Sequence, residues 1–387
     1  MDWQQRLQQE LAQRRDAQLY RQRRLMDSPQ AAHIRVDGRP CINFSSNDYL
    51  GLANHPRVIQ AFTQASERFG VGSGASHLVC GHGTEHHQLE EELAQFTGRE
   101  RALLFSTGYA ANLGAITALV KKGDAIFADK LNHASLIDAA QLSGAKVQRF
   151  IHNDTHALQQ RIAASTVPGN SLIAVDGVFS MDGDCAPLRE LTAIARNNQA
   201  LLMVDDAHGF GVLGKTGAGL IEHCAQGQDD VPVMMATLGK ALGTFGAFVA
   251  GSADVIETLV QQARSYIYTT ALPPAVAAAA RESLRLLQVE GWRREHLQLL
   301  IARLRGGMEQ LGLPPLPSNT AIQPLVLGDA GTALAVSDAL FKLGFMVPAI
   351  RPPTVPRGTA RLRITLSASH SEADVDSLLQ ALERVTQ

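Results

Sequence analysis

The 387-residue chain lacks an apolar run approaching the roughly eighteen residues that a bilayer crossing requires; even residues 275–280 form only a short one. Nothing in it is expected to span a membrane. Its four cysteines, Cys41, Cys80, Cys185 and Cys224, are scattered with no paired short spacing, which reads as free thiols in a reducing cytosol rather than a disulfide framework. The first twenty-five residues are charged and glutamine-rich, unlike a secretory signal, so a cytoplasmic location is expected and the sequon Asn153-Asp154-Thr155 is chance. A charge excess is missing too: 35 basic against 37 acidic residues leave −2, no field to draw nucleic acid or anionic lipid, and the expected partners are small molecules. No period of about twenty to fifty residues recurs and no segment is low in complexity. What remains, 45% apolar and 19% charged, is ordinary for a soluble enzyme long enough for a large domain and a smaller one.

Trp3, Leu7 and Leu11 recur at intervals of four, the pattern of an amphipathic helix laid on something else. Arg14, Arg15, Arg21, Arg23 and Arg24 supply a solvated face from which one arginine could reach an acidic substrate. Residues 1–45 are therefore read as a helical arm. From 101 to 251 the chain repeats one grammar of short apolar run, polar or glycine turn, helical stretch and next run. The runs are 102–105, 125–128, 147–151, 172–175, 201–204, 233–236 and 247–250. Runs apolar on both faces and alternating with helices predict a mostly parallel seven-stranded sheet covered on each side, within a large α/β domain at 46–285. Ligands in such sheets sit beyond the carboxyl ends of the strands, where Ser106, Asp129, Asp176, Asp205 and Thr237 fall. A long arginine-rich helical stretch at 282–311, then runs at 322–327 and 362–366, predict a smaller C-terminal α/β domain at 286–387 with antiparallel strands.

The chemistry gathers around Lys240, in the apolar run Ala236-Thr237-Leu238-Gly239-Lys240-Ala241-Leu242-Gly243. An amine that loses hydration shifts toward its neutral, nucleophilic form, which attacks carbonyls, and flanking glycines let a flat ring approach the backbone. Alone, Gly-Lys is most simply a surface lysine in a turn; the second half of the constellation, Val204-Asp205-Asp206-Ala207-His208, argues otherwise. Pyridoxal phosphate needs an amine for its aldehyde, a carboxylate at its pyridine nitrogen, a flat group over its ring and donors for its phosphate. Asp205 or Asp206 can serve the nitrogen, but successive strand residues face opposite ways, so only one of them points at the ring. Ser106-Thr107-Gly108-Tyr109-Ala110-Ala111-Asn112, where a strand gives way to a helix, offers backbone amides and a helix dipole to a phosphate, and Thr237 adds a hydroxyl. His133, in Asp129-Lys130-Leu131-Asn132-His133-Ala134-Ser135, follows another strand end and can lie flat against the ring.

Two other readings compete. His82-Gly83-Thr84-Glu85-His86 matches the His-x-x-Glu-His pattern of a zinc hydrolase, in which both histidines bind metal and the glutamate activates water. That pattern needs one helix, whereas Gly81 and Gly83 place the helix start near Thr84, so the two rings would not share a face. Gly70-Val71-Gly72-Ser73-Gly74 suggests a dinucleotide loop, but no strand leads into it and its spacing differs from the usual fingerprint.

Over nearly its whole length the chain resembles the α-oxoamine synthases, a pyridoxal-phosphate family of fold type I. The resemblance is carried by residues 45–51, Gly72-Ser73-Gly74-Ala75-Ser76, Gly81-His82-Gly83-Thr84-Glu85-His86, 205–208, 237–240 and Arg361-Leu362-Arg363. It implies that Lys240 anchors the aldehyde, that Asp205 partners the pyridine nitrogen, that His208 binds the phenolic oxygen and that His133 stacks on the ring. Gly108 and Tyr109 match the phosphate turn, Ser180 and Thr237 further cofactor contacts, and Thr270 the residue that reaches a neighbour's phosphate, so a homodimer with shared active sites is implied. Arg363 fits the carboxylate clamp of the amino-acid substrate, and Asn47 lies in a stretch that closes over it. The family's members differ in acyl donor. Ile350-Arg351-Pro352-Pro353-Thr354-Val355-Pro356 is similar to the branch that serves biotin formation by joining L-alanine to a pimeloyl thioester of coenzyme A or acyl carrier protein. There Thr354 and Arg21 would contact the acyl chain; the alternative is a glycine C-acetyltransferase. Ala75 and His77 depart from the family, which more often has glycine and arginine at those positions, leaving the acyl channel less defined than the chemistry.

Overall fold

In a computed structural model that describes residues 2–386, the chain forms two compact units. One comprises Asn47–Ser180 and Asp184–Glu295; the other comprises Met1–Ser46, Met181–Gly183 and His296–Gln387.

The first unit is built on a seven-stranded sheet in the order Arg101–Phe105, Ala247–Gly251, Val233–Thr237, Leu201–Asp205, Ser171–Asp176, Ala125–Asp129, Lys146–Phe150. All seven expected runs are strands. Four of the six neighbouring pairs are parallel, as expected of a mostly parallel sheet, and the other two involve Ala247–Gly251, which runs antiparallel to both of its partners. The central strands are buried throughout because helices cover both faces. Alternate residues nonetheless choose sides. Leu103, Phe105, Ile126, Ala128, Ala174, Met203, Met235 and Val249 pack in one cluster with Ala111, Ala115 and Ile116 of the helix Gly108–Leu119, Leu136 and Ala139 of Ala134–Leu142, and Leu259 of Ala253–Gln262. That parity aims the strand-end side chains.

The other unit holds an antiparallel sheet in the order Ile322–Gly328, Ala360–Thr365, Ala349–Ile350, and a small one in which His33–Val36 pairs Arg39–Asn43, itself paired with Phe345–Met346. Leu362, Ile364, Leu340 of the helix Ala330–Lys342, and Val375, Leu378 and Leu382 of Glu372–Thr386 form its buried interior.

Two expectations are corrected. The stretch at 282–311 is not one helix but parts of two, Pro274–Val289 and Trp292–Gln310, because Glu290 leaves helical geometry (φ −108°, ψ 50°) and Gly291 has no side chain to favour continuation. The arm helix Trp3–Asp16 forms, N-capped by Asp2, but none of its residues is buried: Trp3, Leu7 and Leu11 are 72%, 52% and 42% exposed. Three apolar residues among glutamines and arginines make a stripe too thin to bury within the chain.

Candidate active site

Lys240 sits in the loop between the antiparallel neighbours Val233–Thr237 and Ala247–Gly251. Backbone bonds from Leu238 to Gly246 (2.9 Å), Thr244 to Leu238 (2.9 Å) and Gly243 to Lys240 (2.8 Å) brace the loop. Gly243 is required here. It has φ +64°, and a Cβ would stand 2.3 Å from the nitrogen of Ala53. The sequence led to a lysine out of water; the residue is half-buried, beside exposed Gly239.

The amine nonetheless has a defined partner. Lys240 Nζ lies 2.9 Å from His208 Nε2, and His208 Nδ1 lies 2.6 Å from the hydroxyl of buried Tyr49. Tyr49 donates onward to Asn47 Oδ1 at 3.3 Å. The direction follows from the end group: an ammonium only donates, so Nε2 accepts, the imidazole proton resides on Nδ1, and the phenol passes its own proton to Asn47.

The second chain of contacts starts from Asp205 and Asp206, whose side chains diverge as consecutive strand residues must. Asp205 shares parity with Met203 and faces the helices Gly108–Leu119 and Ala134–Leu142. Its Oδ2 accepts from Asn112 Nδ2 at 2.7 Å and its Oδ1 from the Ala207 amide at 3.0 Å. Asn112 Nδ2 also donates to Ser135 Oγ at 2.8 Å, and Ser135 Oγ is 2.7 Å from His133 Nδ1. Because that nitrogen also accepts the Ser135 amide (3.2 Å), neutral His133 carries its proton on Nε2. Burial lowers the pKa of His133, with Asp205 opposing and Lys240 reinforcing the shift. The His133 amide in turn donates to Asp176 Oδ2 at 2.5 Å. Asp176 is pushed well above the usual carboxylate range by burial and by the nearby Asp205.

Asp206 turns the other way and is structural. Its Oδ2 accepts the Leu220 amide at 2.7 Å in a cage of glycines; a Cβ on Gly219 or Gly209 would lie 1.9 or 2.1 Å from its carboxylate oxygens. Burial raises its pKa well above normal, with the Asp205 charge adding to the shift and the Leu220 amide and Arg99 opposing it.

Gly108 opens its helix, with Thr107 as N-cap accepting from Ala110 at 3.1 Å. The first-turn amides of Gly108 and Tyr109 have no acceptor inside the helix. The Tyr109 phenol is turned aside, donating to Asp138 Oδ2. Thr237 spends its hydroxyl proton on Gly246 O (2.9 Å) and accepts the Gly239 amide (3.2 Å), so it presents no free donor in this arrangement. Ser180 is half-buried at a segment end of this unit, and exposed Thr270 bridges to Ser76. In the other unit, Arg21 Nη2 donates to Thr354 Oγ1 at 3.3 Å, joining two residues expected at the acyl chain. Arg363 is buried there, donating its amide to Pro348 O (3.1 Å) and its Nη1 to Thr365 Oγ1 (3.0 Å).

The zinc-hydrolase pattern dissolves. The helix starts at Thr84, as the glycines predicted. His86 Nδ1 accepts the Gly83 amide (3.0 Å) and Nε2 donates to Leu272 O (2.6 Å), while Glu85 binds Arg281 (2.6 Å). Sequence reasoning named neither Tyr49, Ser135 nor Asn112 for a role, although all three lie inside stretches it singled out.

The donor set fits pyridoxal phosphate: an amine, a buried carboxylate, a neutral imidazole and helix-start amides at neighbouring strand ends. The chain belongs to the aminotransferase class I and II family, which matches residues 39–382. The 8-amino-7-oxononanoate synthase of Saccharophagus degradans is 61% identical over 381 residues, 98% of this chain and 96% of that protein. A serine palmitoyltransferase solved with PLP superposes with a TM-score of 0.94 at 32% identity, over 100% of this chain and 98% of its own. The 8-amino-7-oxononanoate synthase of Francisella tularensis has a TM-score of 0.78 at 34% identity, over 89% and 97%. The fold is that of the type I pyridoxal-phosphate enzymes, and pyridoxal phosphate is the cofactor.

Proposed function

We propose that the chain catalyses the decarboxylative condensation of L-alanine with a pimeloyl thioester, giving 8-amino-7-oxononanoate, CO2 and the free thiol, in biotin biosynthesis. The observation that carries this reading is the pairing of Lys240 Nζ with His208 beside a buried Asp205 wired through Asn112 to His133, in a chain 61% identical to a named synthase.

Lys240 would hold the cofactor's aldehyde, Asp205 its pyridine nitrogen, His208 its phenolic oxygen and His133 its ring face. The amides of Gly108 and Tyr109, with Thr270 from across a homodimer, would take the phosphate, and Ser180 and Thr237 would make further contacts to the cofactor. When bound, pyridoxal phosphate supplies an electron sink for charge released at the alanine α-carbon. Lys240, once freed, is the base that takes the α-proton, and its contact with His208 keeps the amine in place to do so. His133, neutral with its proton on Nε2, would assist the loss of CO2 as the proton donor to the acyl carbonyl oxygen, the carboxylate itself leaving unprotonated. Arg363 binds the alanine carboxylate as a planar fork, Asn47 lies over the substrate, and Arg21 with Thr354 contacts the acyl chain. The enzyme acts in the cytoplasm.

The test has two parts. Borohydride reduction of the holoenzyme followed by peptide mapping is expected to label Lys240; a label elsewhere, or none, overturns the site. Thiol release is then followed with alanine plus pimeloyl thioester against glycine plus acetyl-CoA. Equal turnover of the second pair would instead select a glycine C-acetyltransferase.

A further inference from the structure

Beside the glycine-braced start of the helix Thr84–Thr97, His82, His87 and Glu90 each offer one ligand atom, all within 4.8 Å of one another. His87 and Glu90 are three residues apart on that helix and so share a face; His82 reaches them from the segment ahead of it. His82 Nε2 is 3.9 Å from Glu90 Oε2, and the His82 and His87 rings are 5.8 Å apart, nearly perpendicular at 85°.

The two less exposed members are held by their other atoms. His82 Nδ1 is 3.0 Å from His77 Nδ1, and the His77 ring is stacked on Tyr266 with centroids 4.9 Å apart. Glu90 Oε1 accepts the Leu104 amide at 2.9 Å. Nε2 of His82 and Oε2 of Glu90 are thus the atoms turned toward each other, the support that metal ligands ordinarily receive from outside the coordination sphere. His87 is exposed on the solvent side, where its Nε2 also lies 3.3 Å from Glu91 Oε1.

We propose that His82, His87 and Glu90 bind one late first-row divalent cation of the zinc class, which pins the segment before the helix to its second turn. Two imidazoles and one carboxylate suit zinc, cobalt or nickel; calcium and magnesium prefer oxygen alone. With bonds near 2.0–2.1 Å, tetrahedral ligands stand about 3.3 Å apart, so closure needs only a slight approach of His82 to Glu90 and a rotamer change of exposed His87. Solvent completes the shell. This set is distinct from the hydrolase pattern, whose Glu85 and His86 are engaged with Arg281 and with the Gly83 and Leu272 backbone.

The test uses untagged holoenzyme, titrated calorimetrically with zinc chloride and, separately, with cobalt(II) followed by its visible ligand-field bands. The wild type is expected to bind one zinc per chain and to melt at a higher temperature with zinc. His87→Ala, at an exposed position away from the cofactor residues, should bind at least about tenfold more weakly, lose the melting shift and the tetrahedral cobalt bands, and keep its turnover. Absence of zinc binding by the wild type overturns the proposal. So does equal affinity in His87→Ala, which would place the ion elsewhere, at the active-site amine and imidazole for instance.

Discussion

Tyr49→Phe removes one oxygen from the line that runs from Lys240 through His208 to Asn47, and nothing else. The lost contact is 2.6 Å long, between a phenol 1% exposed and an imidazole 7% exposed. A hydrogen bond of that kind in a buried place is worth about 1–3 kcal/mol when one partner is deleted. If the phenol serves to keep the His208 proton on Nδ1, its removal lets the proton move to Nε2, where it opposes the Lys240 ammonium 2.9 Å away. The loss then falls on the step in which Lys240 takes up the α-proton and becomes that ammonium. That range converts to a drop in kcat of roughly 5- to 150-fold, with little change in KM for alanine. The assay is steady-state turnover from pH 6 to 10, about the range over which a histidine and a lysine exchange protons, together with the cofactor absorbance of the resting enzyme over the same series. A variant with wild-type kcat and an unshifted pH profile would refute the argument that this hydroxyl sets the His208 tautomer.

Gly219→Ala would drive a Cβ to within 1.9 Å of Asp206 at φ +106°, and is expected to cost about 1–3 kcal/mol, seen as a lower urea midpoint; an unchanged midpoint would show that the glycine cage is dispensable. His152 is depressed by burial, but its bonds to Asp129 (3.1 Å) and Asp184 (2.8 Å) outweigh this and raise it to about 10. Its charge-linked contribution to stability is therefore complete below its unfolded pKa of about 6.5 and disappears as the pH climbs through 10, so the deficit of His152→Ala should be largest near pH 6.5 and shrink beyond pH 10 to what the ring's packing on Phe179 is worth, in melting experiments. A deficit that stays constant across that window would contradict the assignment. Arg21→Ala and Thr354→Ala should each raise KM for the pimeloyl donor while leaving KM for alanine alone, and the double variant should do little more than either single one, since the two side chains already bond one another. Additive losses would separate their roles.

Local pattern made the large unit legible. Each of the seven apolar runs is a strand, buried throughout in the centre of the sheet where helices cover both faces and more exposed at the edge strand Lys146–Phe150, and the glycines at 81 and 83 located the next helix start. Parity alone required Asp205 and Asp206 to separate, though choosing between them needed the family resemblance. Less visible were contacts that cross elements. Asn112 joins Asp205 93 positions away and Ser135 23 positions away, and Tyr49 meets His208 across 159; no local signal encodes such pairs. The arm shows the opposite failure, where periodicity announced a buried stripe that the chain does not cover. At 282–311, arginines at helical spacing concealed the break that Gly291 makes.

The loop bearing Lys240 is anchored at both ends to one sheet and wedged through Gly243 against Leu52 and Ala53. Most hairpin connections on a protein surface absorb extra residues without harm. This one has no slack: an inserted residue would have to break a brace at Leu238–Gly246 or rise off Ala53, and either would carry the amine away from His208. In any effort to retool the enzyme for other acids, the length of this connection is a fixed quantity, and variation belongs in the side chains around it.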